Sequence, residues 1–141
     1  MRITNVNTLS ALLDRLITEN IKKFFFEKEG SHDKAYHQST VIRQLRIEIA
    51  DCFRICFDER KYDYVGEKRT YKFGDVVETL EDLIHSDIIT GEYDRANLQE
   101  AMTENASADA FKRNHKIIRK ANETRANNKN DIDSQFKDTV E

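Results

Sequence analysis

The 141-residue chain contains no proline, no tryptophan and only four glycines. A turn-rich all-β fold needs those residues at its turns and bends, so their scarcity excludes it and favours long helices. Long apolar runs are also missing, since Phe24–Phe26 is as long as any unbroken one. A membrane span needs about 20 consecutive apolar residues, and residues 1–6 hold no apolar core of a signal peptide. The expectation is a cytoplasmic protein without a membrane partner. Excess positive charge is absent too. A net charge of −3 gives no general attraction to nucleic acid or to acidic lipid.

There are two cysteines, Cys52 and Cys56, one helical turn apart. That spacing suits a shared apolar face, in a reducing setting, better than a disulfide. No Cys or His partner stands at ligand spacing, and His32, His37, His85 and His115 are scattered, so no cofactor or metal is expected. His115 reads as a core histidine on an apolar face. Phosphate loops, GxGxxG and GxSxG are all missing.

Present instead is helical periodicity. Leu9, Leu12, Leu13, Leu16, Ile17, Ile21, Phe24 and Phe25 repeat with the spacing of one helical face, and Asn7 or Thr8 can cap the first turn. After a loop at Gly30-Ser31, Asp33 can cap a second helix to about Asp58, with Val41, Leu45, Ile49, Cys52, Phe53 and Cys56 as its stripe. The short connection predicts an antiparallel hairpin of the two. Residues 61–73 alternate as a short β-hairpin would, or form an aromatic loop. Asp75 and Glu78 resemble a capping box opening a third helix, which Thr90-Gly91 ends. Asp94 can begin a short fourth, and Ser107 caps the last, running to about Ala126. The prediction is an all-α bundle of four or five helices around the N-terminal hairpin. One domain spans residues 1–126, and residues 127–141 form a polar, flexible tail.

Charge is segregated along the chain. Residues 75–104 carry nine acids (75, 78, 81, 82, 87, 92, 94, 100, 104) against Arg95. Residues 112–129 carry seven bases (112, 113, 116, 119, 120, 125, 129) against Glu123. Two such helices neutralise each other if adjacent. Alternatively Arg113, Lys116 and Lys120 project together at a phosphate or nucleotide, with Arg43 and Arg46 completing the site from the second helix.

Enzyme patterns fare worse. Arg113-Asn114 opens the Arg-x4–6-His pattern of helical nucleases, but Ile118, Arg119 and Lys120 fill the places of its histidine. Glu78-x-x-Glu81 supplies the first half of the magnesium site of an all-α nucleotide pyrophosphohydrolase, without the Glu-x-x-Asp that completes it. The aromatic and basic stretch Tyr62–Phe73 has the composition of a base-stacking surface, but it is short and the chain is acidic.

The segment LLDRLITENIKKF, through Asp14, Arg15, Leu16, Ile21 and Lys22, resembles the opening of uncharacterised bacterial and phage helical families. Lys112-Arg113-Asn114 with Ile117-Ile118 looks like their second recurring segment. About 30 residues are covered, and Glu19 departs from the pattern. The resemblance implies helical packing and a phage-like accessory protein, with no chemistry attached. The sequence therefore points to a non-enzymatic binding protein, a homo-oligomer whose first helix serves two neighbours, with a small anionic ligand or nucleotide at the basic helix. A metal phosphohydrolase using Glu78 and Glu81, or a nucleic-acid binder, are the alternatives.

Overall fold

The computed structural model describes residues 8–64, 75–101 and 108–141, which form four α-helices and no strand. They are α1 (Leu9–Lys28), α2 (His32–Glu59), α3 (Val76–Ala101) and α4 (Ala108–Val140). The protein is an all-α helical bundle. Helix α1 is its centre, because it packs on each of the other three.

The first turn of α1 is well supplied with acceptors. The Thr8 side chain accepts from Ala11 N at 3.2 Å, and Tyr62 Oη accepts from Leu9 N at 2.9 Å. Asp133 Oδ1 accepts from Ser10 N at 3.0 Å, and Thr8 O from Leu12 N at 2.9 Å. The N–H groups of Leu9, Ser10 and Ala11, which precede the first intrahelical bond, thus each have an acceptor. At the other end Gly30 takes φ 76°, which turns the chain into α2 without steric cost. Asp33 lies in the first turn of α2 while Ser31 is the capping residue. Asp75 caps α3, its carboxylate accepting from Glu78 N at 2.8 Å.

Helix α2 lies antiparallel on α1, and its C-terminal end meets α4 where Phe53 and Phe57 stand edge-on to Phe136. Helix α4 runs antiparallel to α3 in the most extensive packing of the fold. The acidic and basic segments are therefore neighbours. Leu9, Leu12, Leu45, Cys52, Cys56, Tyr62, Leu83, Ile132, Phe136 and Val140 form one buried cluster.

Three expectations are corrected. Helix α3 does not stop at Gly91 but passes through it, so the fifth helix does not exist separately. Gly91 sits against α1, where an added Cβ would lie 3.7 Å from Ile21 Cγ2. Residues 127–140 are not a flexible tail: they continue α4, and Ile132, Phe136 and Val140 are core. His115 is exposed. The predicted alternation at 61–73 is described only to Tyr64, where it has no regular structure; positions 65–73, and the Ser107 cap, lie outside the described residues.

Candidate functional site

Of the predicted anion-site residues, Arg113, Lys116 and Lys120 share a shallow concavity of about 550 Å³ with Ile117, Arg119 and Glu123. All of these belong to α4. Arg43 and Arg46 are exposed on α2 and do not line it. Glu78 and Glu81 are exposed on α3. Among the described residues, no three His, Cys, Asp or Glu side chains are placed to hold a metal ion. Among the same residues no helix is long and apolar enough to cross a membrane. The Cys52 thiol is pushed up to about 12, chiefly by burial, which leaves it protonated and a poor nucleophile. Tyr62 is buried with its hydroxyl committed to Asp133 at 2.5 Å, and Tyr64 hydrogen-bonds Ser134. The Tyr62 ring is buried, and one face of the half-buried Tyr64 ring stacks on it.

Two sites that the sequence did not announce lie back to back across Ile21 and Phe25. The first is an apolar groove of about 750 Å³ between α1 and α3. Leu16, Ile17, Ile21 and Phe24 form one wall, Ile84 and Ile88 the other. Phe24 is 60% exposed and Ile88 47%, which is unusual for side chains of this size on a folded surface. Helices α1 and α3 run in the same direction, as the Arg95–Glu29 ion pair of 2.7 Å at their C-terminal ends requires. Lys28 and Glu92 therefore stand on opposite walls at the same end of the groove.

The second is a polar junction where α1, α3 and α4 meet. Arg125 donates from Nε to Asp14 Oδ1 at 2.8 Å and from Nη2 to Asp14 Oδ2 at 2.7 Å, a two-pronged pair. Asp87 Oδ1 also lies 2.8 Å from Nε, but that N–H is aimed at Asp14, and neither Asp87 oxygen accepts a hydrogen bond. Two buried carboxylates share one guanidinium, with Lys129 at 3.9 Å from Asp14. Burial, then a hydrogen bond shared with Asp14, then the charge of Asp14 push the Asp87 carboxyl up to about 8, against the opposing pull of Arg125 and Lys129. The hydrogen bond to Asp14 raises Arg125 in turn.

A separate buried network anchors the C-terminal half of α4. Asp133 accepts from Ser10 and Tyr62, and burial still raises its carboxyl above the ordinary carboxylate range. Asn128 donates to Asp82 at 3.0 Å and Gln135 to Thr79 at 3.1 Å. These polar groups hold α4 in register on α1 and α3, and their role reads as structural.

Comparison of the chain with protein-family models, with curated proteins and with solved structures finds no match. The functional reading therefore rests on the geometry above.

Proposed function

We propose that this protein acts by binding rather than by catalysis, as a homo-oligomer whose copies meet across the α1–α3 groove. The observation that carries this is the groove itself, an open apolar surface centred on Phe24 and Ile88 in a chain with 35% charged residues. Covering such a surface removes apolar area from water. Its rim is self-complementary. Lys28 on one wall and Glu92 on the other give it one charge of each sign, which a second copy can match. The same helix then packs inward with Leu9 and Leu12 and outward with Phe24.

Sedimentation velocity tests this. The wild-type chain is expected to sediment as an oligomer, and Phe24→Asp or Ile88→Asp as a monomer with unchanged helical circular dichroism. A monomeric wild type would remove the proposal. Phe25 is a poorer target, because it is half-buried with the Arg95 guanidinium 3.5 Å above its ring.

A second reading, a phosphate-bearing ligand on α4, is favoured by the convergence of Arg113, Lys116, Arg119 and Lys120 on one concavity. Titration with a nucleoside triphosphate should give binding that Arg113→Glu with Lys116→Glu abolishes. An unchanged isotherm rejects it.

A further inference from the structure

The acidic and basic segments are neighbours, yet the bases in the first half of α4 are not neutralised by the acids of α3. Among the described side chains, those acids stand elsewhere. Glu92 lines the α1–α3 groove, and Asp94 lines a cavity of about 280 Å³ between α1 and α3 beside the polar junction. Asp87 lies 2.8 Å from Arg125, and Asp82 accepts from Asn128. Glu78 and Glu81 belong to the start of α3, which antiparallel packing sets beside the end of α4. Lys112, Arg113, Lys116, Arg119 and Lys120 are all exposed, and among the described residues none of them forms an ion pair.

The reason is their direction. A helix turns about 100° per residue, which puts these bases within an arc of about 120°. The middle of that arc is opposite Ile118, Ala121 and Arg125, through which α4 packs inward. The bases point away from the bundle, where no other helix reaches them. Along the axis they span about 12 Å. Asp109 and Glu123, exposed on the same face, bound the patch at its two ends.

This face has no second wall, since every residue lining its concavity of about 550 Å³ comes from α4. A small-molecule site encloses most of its ligand. A nucleotide here would be gripped by its phosphates alone, with base and sugar left in water. The face also lacks a Phe, Tyr or Trp on which an unpaired base could stack. Ile117 at its edge is too little apolar surface to enter a lipid layer. What it does offer is a row of unpaired cations on flexible stems.

We propose that the outward face of α4 binds the phosphate backbone of a nucleic-acid duplex without reading its base sequence. The proposal rests on the reading of α4 as a phosphate site and names what carries the phosphates. Each strand of a duplex has a phosphate about every 3.4 Å of axis, so about 12 Å of it presents three or four to this face. Contacts of this kind fix position and carry no sequence information. The net charge of −3 belongs to the whole chain. At 0.15 M salt a phosphate senses charges within only about 8 Å, and here those are the bases of α4. The acidic remainder of the surface is repelled, which leaves this face as the one that docks.

Fluorescence anisotropy of labelled DNA and RNA duplexes of about 20 base pairs, titrated with the full chain, tests this. A duplex should bind with a micromolar Kd at about 50 mM salt, and one of scrambled sequence equally well. The logarithm of the affinity should fall with that of the salt concentration at a slope of about −3. That is a loss of about 60-fold between about 50 and 200 mM. Lys116→Glu with Arg119→Glu, on the solvent side of α4 where folding is not at stake, should abolish binding. Arg43→Glu with Arg46→Glu makes the same change in net charge on the exposed face of α2 and should leave binding unchanged. Absence of binding to both duplexes at the lower salt would overturn the proposal. So would equal weakening by the two double variants, binding that ignores salt, or capture by anionic phospholipid vesicles in place of either duplex. A labelled nucleoside triphosphate separates this proposal from the reading beneath it. Triphosphate binding without duplex binding removes the duplex and leaves a small-ligand site, whereas loss of both removes the phosphate site altogether.

Discussion

Asp87 and Tyr62 are the two residues whose environments differ most from what their types prefer. Asp87 holds its proton to about pH 8 in the folded chain, while an unfolded aspartate releases it near 3.8. Between those values the folded chain binds more protons, so this group's contribution to stability falls as pH rises through the window and levels off above it. Asp87→Asn removes the titration. The difference in unfolding free energy between wild type and variant should therefore decline from about pH 4 to about pH 8, to the cost of the wild type. Denaturant melts across that range would contradict this by giving a constant difference. Tyr62 Oη accepts from Leu9 N and donates to Asp133 at once. Tyr62→Phe leaves a buried N–H without an acceptor and Asp133 without one donor. It should cost about 2–4 kcal/mol, from about 1–3 kcal/mol for each stranded buried group. The readout is the urea midpoint at unchanged m-value. A shift worth less than about 0.5 kcal/mol would mean that the network is not what holds the α1 terminus.

At the scale of the element, α3 and α4 are each longer than the sequence pattern suggested, for different reasons. Gly91 is a helix stop by habit, but a stop requires the left-handed conformation just past the last turn, and here the packing of α1 keeps the chain helical. Because an added Cβ would meet Ile21 at an ordinary 3.7 Å, Gly91→Ala has room. It should raise stability by up to about 1 kcal/mol through helix propensity alone. Thermal melting would show it, and a lowered midpoint would mean that α1 and α3 approach more closely than this. In α4 the inward positions Ile118, Ala121, Arg125, Asn128, Ile132 and Phe136 keep three- and four-residue steps from one end to the other. Two of them are polar, which hid the stripe. Arg125 and Asn128 belong to it because Asp14 and Asp82 wait opposite.

For the whole molecule, the consequence is that the last 14 residues are part of the core. Ile132, Phe136 and Val140 close the cluster of Leu9, Leu12, Leu45 and Tyr62. Each buried apolar side chain of this kind is worth about 1.5–3 kcal/mol. Removing three, together with the Asp133 contacts to α1, uses most of the 5–15 kcal/mol that a domain typically has. A chain ending at Asn127 should lose its cooperative thermal transition. A truncated chain that still melts sharply, within a few degrees of the full chain, would restore the idea of a dispensable tail. The upper half of the α3–α4 pair is the opposite case. No described side chain at 88–98 or 108–117 is buried, and the basic concavity and the rim of the groove both lie there. The buried half holds the fold together, and the exposed half carries the surfaces proposed above for binding.

The sequence by itself determined the helical class, the N-terminal hairpin and its apolar stripe, and the Thr8 and Asp75 caps. Those depend on neighbours within one or two turns, and local spacing carries that information. That the acidic and the basic segment are neighbours was one reading the charge pattern allowed, beside separate solvated faces and an anion site. Only the tertiary structure decided that residues 127–140 are core, that Gly91 lies inside a helix, and that Asp14, Asp87 and Arg125 meet. A polar side chain joins a core only when its complement arrives from another helix. The partners of Asp14 and Ser10 are more than 100 residues away along the chain. No periodicity within one helix encodes that distance, so the junction and the cavity beside it arise only once the helices are packed.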